Sequence, residues 1–274
     1  MSREGCYMVT EIISGSVVER RKTRIRRPPK KRGKRVKGSS SERKQVGNRE
    51  YAKLQLARAI NCNFGQGDLW ITLSYSKEGL EQVGDDFKAA DHAAGLFLDR
   101  LGRRFKKLGK EFRWIRNTSQ IDGDTGEVVR LHHHLILPGG AFSVRDKCLW
   151  IGEERVEEIW GLGEIDYQIM RRQKDFKPIA NYIVNQGRFL PDEKKWSCSR
   201  NLKKPIVRRR TVTSGGALRV PAGAVELPGC RYDPERGVNY VRYIKPERSG
   251  KVGGHKEIAA AMGQAEDAGG EDGL

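Results

Sequence analysis

Three consecutive histidines, His132, His133 and His134, lead into the apolar run Leu135-Ile136-Leu137. A strand turns alternate side chains to opposite faces, so His132 and His134 share one face and His133 takes the other. Two imidazoles side by side form a chelating edge for a divalent metal ion. Further along, Pro178-Ile179-Ala180-Asn181-Tyr182-Ile183-Val184 reads as a short helix carrying a tyrosine. A phenol can attack phosphorus when a metal polarises the phosphodiester and a neighbour takes the proton. The formal net charge is +18, so the expected partner is a polyanion. Together these features point to chemistry on DNA phosphates.

Two imidazoles are too few to hold an ion firmly, so an oxygen donor is expected from a neighbouring strand. Ser119, Gln120, Asp122, Asp124 and Glu127 are available on the hairpin that leads to the histidines. Gln120 is the first choice, because its carbonyl oxygen is a competent ligand and it lies near the histidines across the hairpin. One turn beyond Tyr182, Asn185 and Gln186 lie over the same helix face. Both are neutral amides, suited to positioning a phosphate oxygen. Lys174, Lys177 and Arg188 are close enough in sequence to supply positive charge.

The elements that must position these residues follow from periodicity. Residues 69–75, Leu-Trp-Ile-Thr-Leu-Ser-Tyr, are rich in strand formers. Asp85-Asp86 can cap a helix with Phe87, Ala90, Ala94, Phe97, Leu98, Leu101, Phe105 and Leu108 at helical spacing. Its opposite face carries Arg100, Arg103, Arg104, Lys106 and Lys107. Residues 112–119 and 128–137 read as a hairpin about the turn Asp122-Gly123-Asp124-Thr125-Gly126. A short helix over 153–160, a strand near 164–170 and the tyrosine helix over 175–186 follow. This order predicts an α+β fold, a central antiparallel sheet with helices largely on one face, related to ferredoxin-like folds.

At 274 residues with 37% hydrophobic content, the chain is expected to fold only in part. Residues 1–42 read as a basic disordered arm: twelve of the eighteen residues from Arg20 to Lys37 are Lys or Arg. The catalytic domain is expected over 43–210, opening with a basic helix. Residues 211–274 read as a partly disordered extension, with one late strand candidate at 238–244. Five scattered cysteines without a CxxC pair argue against a zinc knuckle or a disulfide framework. No apolar stretch reaches spanning length and no signal peptide is evident, so a cytoplasmic protein without membrane contact is expected.

The strand at 69–75, the motif Leu131-His132-His133-His134-Leu135-Ile136-Leu137 and the tyrosine stretch at 179–184 occur in the order of the HUH endonucleases. The chain resembles in particular the rolling-circle replication initiators of bacterial plasmids, phages and integrative elements. Asn63-Phe64-Gly65-Gln66-Gly67-Asp68 and Ser199-Arg200-Asn201-Leu202-Lys203-Lys204-Pro205 fit that subgroup too. The resemblance covers roughly residues 45–210. It implies that His132 and His134 hold Mg²⁺ or Mn²⁺ and that Tyr182 attacks the scissile phosphate of single-stranded origin DNA. A 5′-phosphotyrosine and a free 3′-hydroxyl result, and the strand can be rejoined without ATP. Asn185, Arg200, Lys203 and Lys204 are then expected on DNA phosphates, with a host polymerase and helicase as partners. Two features depart from the family. Where a lysine often follows the tyrosine stand Asn185 and Gln186, and where an acidic ligand often precedes the histidines stand Ser119 and Gln120. The alternatives are a nucleic-acid-binding protein without catalysis and a metal-dependent phosphodiesterase that uses water.

Overall fold

A computed structural model describes residues 6–25, 42–84, 86–121, 125, 127–186 and 196–246. The chain opens with two strands, β1 (Tyr7–Ser14) and β2 (Val17–Arg24), and a long helix, α1 (Glu42–Asn63). Then come β3 (Leu69–Ser74), α2 (Lys77–Val83), α3 (Phe87–Lys107), β4 (Ile115–Ile121) and β5 (Val128–Leu137). A small antiparallel sheet follows, β6 (Phe142–Arg145), β7 (Cys148–Ile151) and β8 (Glu154–Arg155), which runs into α4 (Val156–Trp160). Next are β9 (Ile165–Ile169), α5 (Lys177–Gln186), β10 (Ser197–Cys198) and β11 (Ile206–Val212). The last three are β12 (Val225–Glu226), β13 (Arg231–Asp233) and β14 (Val238–Ile244).

The fold is α+β, as the sequence predicts. The central sheet is antiparallel, in the order β10-β4-β5-β3-β9. Strand β5 therefore lies between β4 and β3, and its histidines lie in the middle of the sheet. One face carries Leu69, Ile71, Leu73, Leu131, Leu135 and Leu137, packed on Phe97, Leu98, Leu101 and Phe105 of α3 and Trp160 of α4. Asp86 starts α3 by accepting hydrogen bonds from the amides of Lys88 and Ala89.

Helices occupy both faces, which corrects the expectation of one. Ile115 and Ile136 on the second face pack against Leu56 and Ile60 of α1 and Ile183 and Val184 of α5. The crossover helices α3 and α4 share the first face as expected. The helices that precede and follow this unit cover the second, because that face also offers an apolar surface to bury.

A second sheet replaces much of the expected arm and extension. Its order is β11-β1-β2-β14-β12, with β13 also on β14. Strands from opposite ends of the described chain pair over long register: Tyr7 lies opposite both Arg24 and Val212. Residues 7–24 are thus ordered in spite of their charge, since Val9, Val17 and Val18 are buried. The remaining basic run, 26–41, and the acidic end after 246 lie outside the described residues. Glu19 of β2 accepts two hydrogen bonds from Arg58 of α1, at 2.9 and 2.6 Å. The buried Arg242 of β14 grips Asp175, just before α5, at 2.8 and 2.6 Å. These charge-assisted pairs fasten the second sheet to the two helices on the histidine face.

All five cysteines are free thiols. Among the described residues no helix is long and apolar enough to cross a membrane.

Candidate active site

The strand register fixes which side chains meet. His132 lies opposite Ser74 on one side and Ser119 on the other; His134 lies opposite Thr72 and Asn117. Directly opposed residues share a face, so the histidine pair sits among hydroxyls and an amide on the face that α1 and α5 cover. The two imidazole Nε2 atoms are 3.1 Å apart. His132 Nδ1 lies 2.8 Å from the carbonyl oxygen of Arg130, which can only accept, so Nδ1 carries the proton and Nε2 keeps its lone pair. His134 Nδ1 is 3.1 Å from the Thr72 hydroxyl, which can donate or accept. When Nδ1 donates to Thr72, two lone pairs converge on one point, and such an arrangement is stable only with a cation between them. Thr72 and the Arg130 carbonyl thus orient the pair from behind in the way metal-bound histidines are usually held.

His134 is buried, and desolvation, followed by the neighbouring His132, pushes its pKa down to about 3. An imidazole held neutral keeps its lone pair for a metal across the physiological range. The Trp70 ring stacks on it at 4.9 Å and 29° and fixes its plane.

His133 faces the opposite way, as alternation predicts, and is fully buried. Tyr75 Oη lies 2.7 Å from its Nε2 and Thr118 Oγ1 lies 2.9 Å from its Nδ1. Thr118 in turn donates to Asp91 at 3.1 Å, and Asp91 pairs with Arg116 at 2.6 Å. Burial, and after it the positive charge of Arg116, lowers the His133 pKa to about 3.

Both residues are neutral in the fold but take up protons below about pH 6.5 when unfolded. The unfolded state therefore binds more protons as the pH falls, and stability is lost from about pH 6.5 downward towards pH 3. Between pH 6.5 and 5 the two together are expected to cost about 3 kcal/mol, a drop that chemical denaturation would reveal. A flat stability profile across that window would contradict the neutral assignment.

Tyr182 lies on α5 beside His134: its ring centre is 5.7 Å from that of His134 and 6.0 Å from that of Trp70. The residue remains 36% exposed, so the tyrosine lies at the surface of the helix layer. The helix is positioned at both ends. Asp175 accepts from the amide of Lys177 at 3.1 Å, and Pro178 occupies the first turn, where its missing N–H costs nothing. Asn61 of α1 accepts from the Phe176 amide at 2.9 Å. At the C-terminal end, the buried Ser119 hydroxyl donates to the carbonyl of Gln186 in a short hydrogen bond. The strand residue opposite His132 therefore holds the end of the tyrosine helix.

Gln186 lies one turn beyond Tyr182 on the same stripe and is only 2% exposed. Its Oε1 is close enough to His134 to favour that ring's protonated form, yet it lies outside hydrogen-bonding geometry and is left buried without a donor. An orphaned amide oxygen beside two converging imidazoles fits a divalent ion, and the 3.1 Å nitrogen separation suits metal–nitrogen bonds of about 2.1 Å. Among the described residues no group of three His, Cys, Asp or Glu is placed to hold a metal ion, so a third ligand from them is of another type, such as this amide.

Gln186 is the amide that lies beside His134. Ser119 holds the position opposite His132, the register breaks immediately after it, and the half-buried Gln120 sits at that break. Asp122 and Asp124 lie outside the described residues, and Glu127 is exposed.

The other expected phosphate ligands are dispersed. Asn185 accepts from Arg49 of α1 at 3.2 Å. It therefore brings a guanidinium to within one turn of Tyr182, the positive charge that Lys174, Lys177 and Arg188 were expected to give. Lys174 and Lys177 stand at the far end of α5, and Arg188 lies outside the described residues. Lys203 is held through its backbone by Asn63, fourteen residues along α1 from Arg49, about 20 Å away. Lys204 adjoins it, and both are exposed. Arg200 follows Ser199, whose hydroxyl accepts from the Trp114 amide before the start of β4, about 17 Å along the strand from Ser119. These three cations do not converge on the histidines.

No family model, curated protein or solved structure matches this chain.

Proposed function

We propose that this protein is a metal-dependent DNA nicking and strand-joining enzyme of the rolling-circle initiator type, acting through a tyrosyl–phosphate intermediate. The observation that carries the reading is the Tyr182 ring packed 5.7 Å from the metal-facing histidine on a helix pinned at both ends. His132, His134 and the Gln186 carbonyl would hold a divalent ion, Mg²⁺ or Mn²⁺, which when bound supplies Lewis-acid polarisation of the scissile phosphate. Tyr182 supplies the nucleophile. Its oxygen forms a bond to phosphorus while the bond from phosphorus to the 3′-oxygen breaks, and the proton leaves to solvent or to the leaving oxygen. Arg49, held by Asn185, offers positive charge one turn away. Single-stranded DNA is the substrate that suits a partly exposed tyrosine.

Incubating the purified chain with single-stranded DNA and Mn²⁺, then denaturing it, is expected to leave a covalent protein–DNA product that disappears with chelator. Absence of any adduct over a broad set of sequences would favour the binding-protein alternative. A free 5′-phosphate without adduct would favour water as the nucleophile. Gln186→Ala is expected to weaken Mn²⁺ binding, read directly by calorimetry, by roughly 10- to 100-fold while the fold is kept. Unchanged affinity would remove Gln186 from the ligand set.

A further inference from the structure

The second sheet takes no part in the chemistry proposed above, yet it carries a concentrated charge. Strand β11 places Arg208, Arg209 and Arg210 in sequence on the outer edge of the sheet, with every residue exposed except Val212. Alternation sends Arg208 and Arg210 to one face and Arg209 to the other. In register, Arg209 lies opposite Thr10, and Thr10 lies opposite the exposed Arg21. Arg24, also exposed, ends β2 beside Tyr7 and Val212.

Among the described residues these five arginines have no acidic partner in an ion pair. Glu11 is the only carboxylate on β1 and β11, and Arg20 holds it at 3.3 Å. Glu19, the only one on β2, is buried against Arg58 at 2.6 Å. Among the described residues none of the five arginines forms an ion pair with an acid across these strands. Crowded like charges oppose folding, and guarding a sheet edge against other strands needs far fewer of them. The excess therefore calls for a polyanion.

The residues between the arginines select the kind of polyanion. Thr10, Thr23 and Thr211 share the face of Arg21 and Arg209, a combination of hydroxyls and guanidinium groups suited to phosphate and sugar contacts. Single-stranded DNA is held by stacking bases on exposed rings. The one aromatic residue on these three strands, Tyr7, is half-buried with Lys22 over its ring at 6.0 Å. We infer that the arginine edge of the second sheet, Arg208, Arg209 and Arg210 with Arg21 and Arg24, docks the sugar–phosphate backbone of double-stranded DNA. The clamps Glu19–Arg58 and Asp175–Arg242 then hold that duplex at a fixed offset from α1 and α5, beside the site that takes a single strand.

The test is equilibrium binding of the full chain, without metal, to a short DNA duplex and to a single strand of the same length, by fluorescence anisotropy. It does not depend on cleavage, so its failure is separable from failure of the nicking reading. In the R208Q/R209Q/R210Q variant, duplex affinity is expected to fall at least about tenfold, and the slope of log K against log salt to flatten by 2 to 3 between roughly 50 and 200 mM. Single-strand affinity should change less than about threefold, and the melting temperature should hold because the three side chains are exposed. A second variant, R103Q/K106Q/K107Q, removes the same charge from the exposed face of α3 and should leave duplex affinity within about threefold. Unchanged duplex binding in the first variant overturns the proposal. So does an equal loss on both nucleic acids, or an equal loss in both variants.

Discussion

Tyr182→Phe is expected to abolish the covalent DNA adduct, a loss of more than about 10³-fold, while Mn²⁺ affinity and DNA binding stay within about threefold of the parent. The ring is the part of Tyr182 that packs against His134 and Trp70, and phenylalanine keeps it. The hydroxyl is the only group removed. Denaturing electrophoresis reads the adduct and calorimetry reads the metal. An undiminished adduct would assign the nucleophile to another residue. Loss of metal binding together with the adduct would mean that the ring, not the hydroxyl, sustains the site.

Asp175→Ala has the largest expected effect on stability. The carboxylate holds the guanidinium of Arg242 through two hydrogen bonds and also caps the first turn of α5. Removing it leaves a cation that is 2% exposed without its hydrogen-bonded carboxylate, since Glu19 opposite is already held by Arg58, a situation that costs about 3–5 kcal/mol. For a chain of this size the melting temperature is expected to fall by about 10 °C. Because the cost lies in the stranded charge, the double variant Asp175→Ala with Arg242→Met should recover most of it. If Asp175→Ala alone costs less than about 1 kcal/mol, the second sheet is not fastened through this pair. The cap is lost in both variants, so any residual deficit in the double variant measures its contribution, about 1 kcal/mol.

The parts of the fold that the sequence made legible are those with strong local periodicity. The apolar face of α3, its cap at Asp86, the histidine strand and the tyrosine helix all lie where their patterns predict. The alternation of His132, His133 and His134 is likewise a local property. The second sheet was hidden for the opposite reason. In β2, Val17-Val18 is followed by Glu19-Arg20-Arg21-Lys22, a run whose charge resembles a solvated tail. Its burial depends on β14, more than two hundred residues later. Gln186 was within reach, since four residues on from Tyr182 is one helical turn, but the hairpin residue Gln120 looked nearer. Only the break in register after Ser119 distinguishes the two. Arg49 left no such trace, because its position beside Asn185 depends on how α1 packs against α5.

The pairing of β1 with β11 and of β2 with β14 also sets an order of assembly during synthesis. The histidine strand and the tyrosine helix can leave the ribosome and collapse together while the first hairpin still waits for partners nearly two hundred residues behind it. Closing such a long loop is slow. Until it closes, Asp175 lacks the ion partner that β14 brings, and the leading end of the tyrosine helix is held only by Asn61 and by Asp175 itself.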